Sequence, residues 1–512
     1  MAIALPKGTH DVYLDEARGY DYIEQVMKAV ANCYGYTEMR TPIFEHTELF
    51  QRSSGESSDV VRKEMYTFLD KGDRSITLRP ELTAGIMRSI VTNKLYATIQ
   101  DLPIKTWYLG PAFRYERPQA GRFRQFNQFG IESVGVSNYL HDFEVIMLGY
   151  NTLLMLGLKN VTIKINSLGD QASRDAYREA LRTYFSDKIE NMCEDCKQRF
   201  EINPLRILDC KVPDDHEIAK NAPKMSDYLT PEAREYFDKI LKLLDSYGMK
   251  YEVDDSLVRG LDYYSHVVFE FHYTASTGKD IGAIGAGGHY GNLLKEVGGP
   301  DMAGVGLAFG IERVYSVLKD DGLLEGIEEQ HDVSVMCLDD KALLLCYDLA
   351  SALRASGYRV DMMLEAKGFK QQFKRAERKN SSLAAIIGSD ELEKEVVILR
   401  DLKNQTQIEV PVTHTMEQIH AFFEEQETEH EHGCCCGHDH DEEHECCCGH
   451  DHDEEHECCC GHNHDEEHEC CCGGHDNDHE CCCGGHDEEH ECCCGGHHDE
   501  EHHECCCEHK EK

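Results

Sequence analysis

The sequence has no long hydrophobic run, and this absence excludes a membrane-spanning helix. Its most apolar stretch, residues 147–158, is interrupted by Gly, Tyr, Asn and Thr, whereas a span requires roughly 18 or more apolar residues. The first residues, MAIALPKGTHDV, lack the basic start and the apolar length of a signal peptide. The phosphate-binding pattern G-x-x-x-x-G-K-S/T is also missing, which excludes a P-loop enzyme.

Cysteine is scarce in most of the chain and concentrated at its end. Residues 427–512 hold 21 of the 27 Cys, 20 of the 30 His and 30 acidic residues, against two Lys. The first 426 residues have six Cys, which we interpret as reduced thiols of a cytoplasmic protein. Their 50 basic and 66 acidic residues argue against a protein that coats nucleic acid non-specifically. We therefore expect neither a membrane nor DNA as a partner.

The last 86 residues form a repeat of seven Cys triplets, and the first six are each followed by Gly, His and acidic residues. This tail is almost free of apolar residues other than Cys, so we expect it to be disordered without a ligand. Thiolate and imidazole donors select Zn²⁺, Ni²⁺ or Cu⁺, and the alternative is a repeat that binds metals incidentally. The candidate ligands of the first repeats are Cys434, Cys435, Cys436, His438, His440, Cys446, Cys447 and Cys448.

The remaining residues have the pattern of a mixed α/β protein. Amphipathic helices are predicted at Ala17–Cys33 and Pro231–Tyr247, with short strand-like runs between them. Eleven glycines between Gly278 and Gly310 indicate tight backbone packing or a close approach to a ligand. After the polar linker at 323–331, strand and helix patterns alternate for about 95 residues, which predicts a small parallel α/β domain.

The segment most informative about chemistry is Gly110–Glu132, GPAFRYERPQAGRFRQFNQFGIE. It alternates aromatic with charged residues, as two antiparallel strands joined by a Pro/Gly turn do. Arginine forks bind phosphate oxygens and aromatic faces stack on purines, so the segment indicates nucleotide binding. Taken alone, a surface hairpin with salt bridges explains the pattern equally well.

Other segments decide between these interpretations. Tyr34–Phe44 reads as a helix end, a strand and a proline, and Gly304–Leu318 reads as a small-residue strand that enters a helix. With the 110–132 hairpin, they resemble the three motifs of class II aminoacyl-tRNA synthetases. Leu257–Phe271 (LVRGLDYYSHVVFEF) and Gly285–Leu294 (GAGGHYGNLL) resemble the two histidine-specific motifs of the histidyl-tRNA synthetase family.

The resemblance to this family covers residues 1–425 and implies the fold and the reaction. It implies an α/β protein with a class II catalytic domain on a mainly antiparallel sheet at 1–325, with a helical insertion at about 170–255. A small α/β anticodon-binding domain at 331–425 and the tail at 427–512 follow. It further implies a homodimer that uses ATP with Mg²⁺ to activate L-histidine, and then transfers it to tRNA(His).

The resemblance also assigns roles to individual side chains. Catalysis is expected from three arginines that offset phosphate charge: Arg114, Arg259 and Arg313. Histidine is expected to be bound by Glu81, Leu82, Thr83, Arg114, Gln128, Glu132, Arg259, Tyr263 and Tyr264. ATP is expected to be bound by Arg114, Glu116, Phe126 and Arg313. The tRNA candidates lie at helical spacing in the last domain and are Lys367, Lys370, Lys374 and Arg378.

Two departures from the family pattern and two alternative functions accompany these assignments. The family's second histidine motif usually reads GGRYD, but here His289 and Gly291 stand in place of the Arg and the Asp. A catalytically inactive paralogue serves as a regulatory subunit in histidine biosynthesis, but it usually lacks both the anticodon domain and the histidine-specific arginine, Arg259 here. A tail-dominated metal-storage role is the other alternative.

A second metal question concerns the predicted insertion. Cys193-x2-Cys196, followed by Cys210 and His216, has ligand types suited to structural zinc. The spacing C-x5-H in its second half is irregular, and buried or free thiols are the competing interpretation.

Overall fold

The computed structural model describes residues 3–55, 58, 60–98, 102–117, 121–258, 263–327 and 330–431, with side chains to 424. The chain divides into two compact units, Met1–Glu329 and one that begins at Gln330. Among the described residues, no helix is long and apolar enough to cross a membrane. The candidate metal ligands of the tail lie outside the described residues.

The first unit is built on an eight-stranded sheet of order β1-β5-β6-β11-β10-β9-β7-β8, beside a three-stranded sheet of order β2-β4-β3. The large sheet is antiparallel apart from the parallel pairs β1–β5 and β7–β8. This confirms the predicted antiparallel class II sheet. The strands are β1 Thr37–Glu38, β2 Phe44–His46, β3 Tyr66–Leu69, β4 Ser75–Leu78, β5 Ile104–Phe113, β6 Gln125–Val134, β7 Val161–Ser167, β8 Tyr251–Val253, β9 Tyr264–Thr274, β10 Asp280–Tyr290 and β11 Gly304–Gly310.

The helices of this unit follow the polar and apolar pattern of the sequence. They are α1 Leu14–Cys33, α2 Thr47–Ser54, α3 Thr83–Thr92, α4 Leu95–Thr98, α5 Tyr139–Met155, α6 Gln171–Phe185, α7 Glu194–Ile202, α8 Pro213–Lys220, α9 Pro231–Ser246, α10 Leu293–Glu296 and α11 Ile311–Asp320. Helices α1, α5, α9 and α11 bury their apolar faces on the large sheet, with Met27, Ile146 and Phe271 fully buried. The side chain of Asn138 caps α5, and that of Thr230 caps α9.

A second, smaller hydrophobic core lies among α6, α7 and α8. It includes Tyr177, Phe185, Cys196 and Cys210, all buried. His216, by contrast, is exposed on α8. This part of the unit therefore has its own apolar centre, separate from the core on the large sheet.

The unit that begins at Gln330 has a five-stranded sheet of order β13-β12-β14-β15-β16. The prediction of a parallel α/β domain holds for its first three strands, whereas β14–β15 and β15–β16 are antiparallel. The strands are β12 Val333–Cys337, β13 Val360–Met362, β14 Leu383–Ile387, β15 Val396–Asp401 and β16 Gln407–Pro411. The helices are α12 Leu343–Ala355, α13 Phe369–Arg378, α14 Ser389–Lys394 and α15 Thr415–Glu431.

Candidate active site

A cavity of about 280 Å³ opens on the large sheet of the first unit. Strands β6, β9, β10 and β11 contribute to its walls, together with the loop after β4 and the start of α11. The structure therefore brings together segments that are far apart in the sequence. Eight residues to which the resemblance assigns a role line this cavity, namely Glu81, Thr83, Arg114, Gln128, Glu132, Tyr263, Tyr264 and Arg313.

Strand β6 supplies the deepest polar group. Gln128 and Glu132 lie on one face of the strand, because side chains alternate between the two faces of a sheet. The partner of Glu132 on β11 is Gly306. A Cβ atom at that position would overlap the Glu132 carboxyl group, so the glycine makes room for it.

The Glu132 carboxyl group is fully buried and held by two hydroxyls. Tyr108 donates to Oε1 at 3.2 Å, and Tyr290 donates to Oε2 at 2.6 Å. Burial raises the pKa of Glu132 to about 8, because a low-dielectric environment disfavours the charged form. In the free protein near neutral pH, this group is therefore mainly protonated.

Glu81 is a second buried carboxyl group on the cavity wall. Its Oε1 atom accepts a hydrogen bond from the Ala84 backbone N–H at 3.0 Å, at the start of α3. Its Oε2 atom is buried and has no hydrogen-bond partner among the described residues. Burial raises the pKa of this carboxyl group above its ordinary value. An unpaired oxygen of this kind can accept from a ligand donor such as an ammonium group.

Thr83 and Leu82 lie beside Glu81 but differ in what they can contact. The hydroxyl of Thr83 lies 3.3 Å from that of Tyr108, and Thr83 lines the cavity. The Leu82 side chain is 2% exposed and packs in a hydrophobic cluster with Ile86. The structure therefore leaves only the backbone of Leu82 for contact with a ligand.

Arg114 emerges from the end of β5 into the cavity. Its Nε atom donates to the Pro80 carbonyl at 2.8 Å, and its guanidinium lies 5.3 Å from the centre of the Phe126 ring. Its Nη1 atom lies 3.8 Å from Glu116 Oε1. Phe126 and Glu116 are not among the residues that line the cavity. They lie next to Arg114, where they can fix the position of its guanidinium.

Arg313 approaches the cavity from the first turn of α11. It is half-buried and its Nη2 atom donates to the Ile281 carbonyl at 2.8 Å. Burial and the charge of Arg122 lower the pKa of this guanidinium, while Glu270 acts in the opposite direction. A partly desolvated cation of this kind attracts an anionic ligand. The third predicted catalytic arginine, Arg259, lies outside the described residues.

Comparison with known proteins agrees with this geometry. A family model described as histidyl-tRNA synthetase matches residues 8–314, and one described as an anticodon binding domain matches residues 332–422. Histidine–tRNA ligase from Bacillus cytotoxicus is 47% identical over 410 residues, which are 80% of this chain and 97% of that protein. The chain belongs to the histidyl-tRNA synthetase family.

Other relatives agree with this assignment. Histidine–tRNA ligase from Thermosipho melanesiensis is 45% identical over 420 residues, which are 82% of this chain and 99% of that protein. The crystal structure of apo histidyl-tRNA synthetase from S. aureus has 35% identity and a TM-score of 0.71. It matches 82% of this chain and all of that chain. The Cys/His tail thus lies beyond the part of the chain that these relatives share.

The structure adds cavity residues that the sequence reasoning missed. Tyr108, Tyr290 and Glu270 line the synthetase cavity, and both tyrosines hold Glu132. The Glu270 carboxylate lies 3.0 Å from Nε2 of His272. The alternation of side chains along β9 could have indicated Glu270, because Val268, Glu270 and His272 lie on the same face of the strand. No local pattern indicates the tyrosines, since their role depends on strand register.

The histidine that departs from the family motif has a structural partner. His289 is 1% exposed, and its Nδ1 atom lies 3.0 Å from Asp142 Oδ1. Tyr236 donates to the other oxygen of Asp142 at 3.0 Å. His289 does not line the cavity. Where the family motif usually has an arginine, this chain thus has a buried histidine that is hydrogen-bonded to Asp142 and lies outside the ligand site.

In the second unit, helix α13 carries three of the four residues predicted to contact tRNA. Lys370, Lys374 and Arg378 are exposed along it at four-residue intervals, so they share one face. Lys367 precedes the helix and pairs with Glu365 at 3.0 Å. Three exposed cationic side chains at this spacing form a basic strip on the anticodon-binding unit, which is suited to phosphate contacts.

Proposed function

We propose that this member of the histidyl-tRNA synthetase family activates L-histidine with ATP and transfers it to the 3′ end of tRNA(His). The observation that carries the proposal is the shared cavity. Two buried carboxyl groups, Glu81 and Glu132, line it together with two cationic groups, Arg114 and Arg313. Carboxylates suit an amino acid with two basic nitrogen groups, and guanidiniums suit its carboxylate and the ATP phosphates.

For histidine, we assign the two ends of the substrate to different groups. Glu132 and Tyr264 bind the imidazole nitrogens, one polar partner for each nitrogen. Glu81, Thr83 and Gln128 bind the α-ammonium group, for which the unpartnered Oε2 atom of Glu81 is the main support. Tyr263 packs against Tyr264, and the centres of the two rings are 4.6 Å apart. Arg114 and Arg259 bind the carboxylate.

We assign ATP binding to side chains that contact it through charge, hydrogen bonding and ring stacking. Phe126 and Arg313 enclose the adenine, Glu116 accepts from its amino group, and Mg²⁺ enters with the ATP phosphates. Arg114 and Arg259 stabilise charge at the α-phosphate as the histidine carboxylate attacks and pyrophosphate leaves. Arg114 is anchored to the Pro80 carbonyl before the reaction, and a preorganised cation of this kind lowers the barrier without acid–base chemistry.

The second unit supports a role in tRNA recognition. Its match to the anticodon binding domain implies tRNA as a partner, and the basic strip of α13 would contact the phosphate backbone. We further propose that the protein works as a homodimer, because the first class II motif forms a dimer interface in this family. The regulatory-paralogue alternative is not favoured, because this chain contains the anticodon-binding unit and Arg259.

We also propose that the tail binds soft metal ions. This rests on its sequence alone, in which Cys434–Cys436, His438, His440 and Cys446–Cys448 begin the series of repeats. Such ligands must lose protons to bind, so affinity should fall as the pH drops below neutrality. Tail-dominated metal storage is the alternative, and it predicts loss of metal tolerance but unchanged charging when the tail is removed.

The experiment that tests the proposed function is histidine-dependent exchange of pyrophosphate into ATP, followed by charging of tRNA(His). We expect exchange with histidine and none with other amino acids. Arg259→Ala should lower the exchange rate by about 10²–10³-fold or more, the usual cost of a preorganised charge. Exchange with a different amino acid and none with histidine would refute the proposal.

A further inference from the structure

A group of metal-ligating side chains lies among α7 and α8, in the smaller helical core. Cys193 immediately precedes α7, Cys196 lies in its first turn, and Asp215 lies in the first turn of α8. Cys210 follows the short 3-10 helix of the connecting segment. The three Sγ atoms and one Asp215 oxygen all lie within 4.8 Å of one another. Among the residues that the structure describes, this group alone brings three or more such ligands together.

Two distances within the group are close to those of tetrahedral coordination. Cys193 Sγ and Cys210 Sγ are 3.9 Å apart, and Cys210 Sγ lies 3.4 Å from Asp215 Oδ2. With Zn–S bonds of about 2.3 Å and a Zn–O bond of about 2.0 Å, a regular tetrahedron places two sulfurs about 3.8 Å apart. It places a sulfur and an oxygen about 3.5 Å apart. With all four ligand atoms within 4.8 Å of one another, the group is compact enough to bind one zinc ion.

The surroundings suit a closed structural site. Cys196, Cys210 and Asp215 are buried, and Cys193 is partly exposed. The Cys193 backbone N–H donates to Asp215 Oδ2 at 3.0 Å, which orients this carboxylate. Cys193, Cys196 and Asp215 also lie at the N-terminal ends of two helices, where the helix dipole stabilises negative charge. Three thiolates and a carboxylate would otherwise leave an excess of negative charge around a divalent ion.

We propose that Cys193, Cys196, Cys210 and Asp215 bind one structural zinc ion. The ion joins the starts of α7 and α8 and stabilises the smaller core. The sequence spacing favoured His216 as the fourth ligand, but His216 is exposed and its neighbour Asp215 completes the group. A disulfide between Cys193 and Cys210 is the competing use of the same thiols.

The first test uses the full chain and reads individual thiols, because the tail contains 21 further cysteines. Protein loaded with zinc is labelled with N-ethylmaleimide, with or without a strong chelator, and then digested with trypsin. Cleavage after Lys188, Lys197, Arg206 and Lys211 separates the peptide with Cys193 and Cys196 from the peptide with Cys210. Both peptides are distinct from any in the tail.

We expect the chelator to speed labelling of Cys193 by about tenfold or more, since it frees the thiol. Cys33, which is exposed, and Cys337, which is buried outside the group, should label at rates that the chelator does not change. Labelling of Cys193 that is independent of the chelator, or recovery of a Cys193–Cys210 disulfide from zinc-loaded protein, would overturn the proposal.

The second test measures zinc content in a chain that ends at Gln426. We expect such a chain to fold without the tail, because 410 residues of this chain match 97% of the Bacillus cytotoxicus relative. We expect about one zinc ion per chain, retained in His216→Ala and in Asp215→His, where imidazole replaces the carboxylate. Cys193→Ser should lose most of the zinc and melt at a lower temperature. A zinc-free shortened chain, or full zinc in Cys193→Ser, would contradict the assignment.

Discussion

The two polar regions of the cavity are built in different ways. Glu132 is enclosed by tyrosine hydroxyls and by a glycine on the neighbouring strand, so its position depends on sheet packing. Arg114 and Arg313 are partly exposed, and each is anchored by a hydrogen bond to a backbone carbonyl. We therefore expect the carboxylate region to select the substrate through rigid shape, and the cationic region to supply charge on side chains that retain access to solvent.

If the cationic region provides most of the rate, removing a guanidinium should have the largest effect. Arg114→Ala should lower the histidine-dependent exchange rate by about 10²–10³-fold, since it removes a charge fixed beside the reacting phosphate. Arg40→Ala changes an exposed arginine paired with Glu38 and is the matched control. Equal rates for the Arg114 and Arg40 variants would show that Arg114 does not act on the reaction.

If the carboxylate region depends on packing, a single methyl group should disturb it. Gly306→Ala places a Cβ atom against Glu132, and overpacking of this kind costs about 1–3 kcal/mol. We expect the KM for histidine to rise about 10–100-fold, while the KM for ATP changes little. Gly368→Ala is the control, because a Cβ atom there would have no heavy atom within 4 Å and Gly368 does not line the cavity.

Glu132→Gln keeps the shape of the pocket but removes the carboxyl group. We propose that Glu132 is ionised when histidine is bound. A hydrogen bond to a charged group contributes about 1.5–3 kcal/mol, so the KM for histidine should rise about 10–100-fold. The KM for ATP should stay within a few-fold of its original value. Equal losses for both substrates would mean that Glu132 supports the fold of the whole cavity and does not select histidine.

The same variant tests the raised pKa of Glu132 through stability. Between its ordinary pKa and its folded pKa of about 8, the unfolded carboxyl group is ionised while the folded one is protonated. Rising pH in this interval therefore favours the unfolded state of the unchanged protein. Relative to Glu132→Gln, the unchanged protein should lose about 1 kcal/mol of unfolding free energy for each pH unit.

Urea denaturation from pH 5 to pH 8 measures this difference. Glu48→Gln, at an exposed carboxylate, is the control variant. A stability difference between Glu132→Gln and the unchanged protein that does not vary with pH would show that Glu132 is ionised in the folded protein.

The smallest expected effect concerns the tail. Truncation after Gln426 should leave charging of tRNA(His) within a few-fold of the full chain, because the tail lacks apolar residues to dock as a core. It should also remove most of the bound Zn²⁺ or Ni²⁺, as measured by mass spectrometry. Large loss of charging activity would assign the tail a role in tRNA handling.

The sequence predicted the elements of the first unit better than their contacts. The Ser75–Leu78 strand, the hairpin of β5 and β6, and the long helices α1 and α9 follow from periodicity and from turn residues. The partners of Glu132 could not be predicted, because Tyr108 and Tyr290 reach it only through the register of separate strands. Local pattern does not contain that information.

The second unit shows a related limit. Its alternating strands and helices predicted parallel pairing correctly for β12, β13 and β14. The strands β15 and β16 pair antiparallel after a tight connection, and the mainly exposed residues of β16 gave little hydrophobic periodicity. Likewise, the choice of Asp215 over His216 depends on which side of α8 faces the small core, and spacing along the chain does not fix it.

The glycine opposite Glu132 has a consequence for the accuracy of translation. A pocket whose buried groups must be satisfied by the substrate's own polar atoms rejects analogues without those atoms by about 10⁴–10⁵-fold. With an amino acid of similar size that lacks ring nitrogens, Glu132 would keep Tyr108 and Tyr290 as partners but would lose the hydrogen bond that we propose it makes to the substrate. If Glu132 selects histidine as proposed, a strand position with no side chain, Gly306, helps to determine which amino acid is placed at histidine codons.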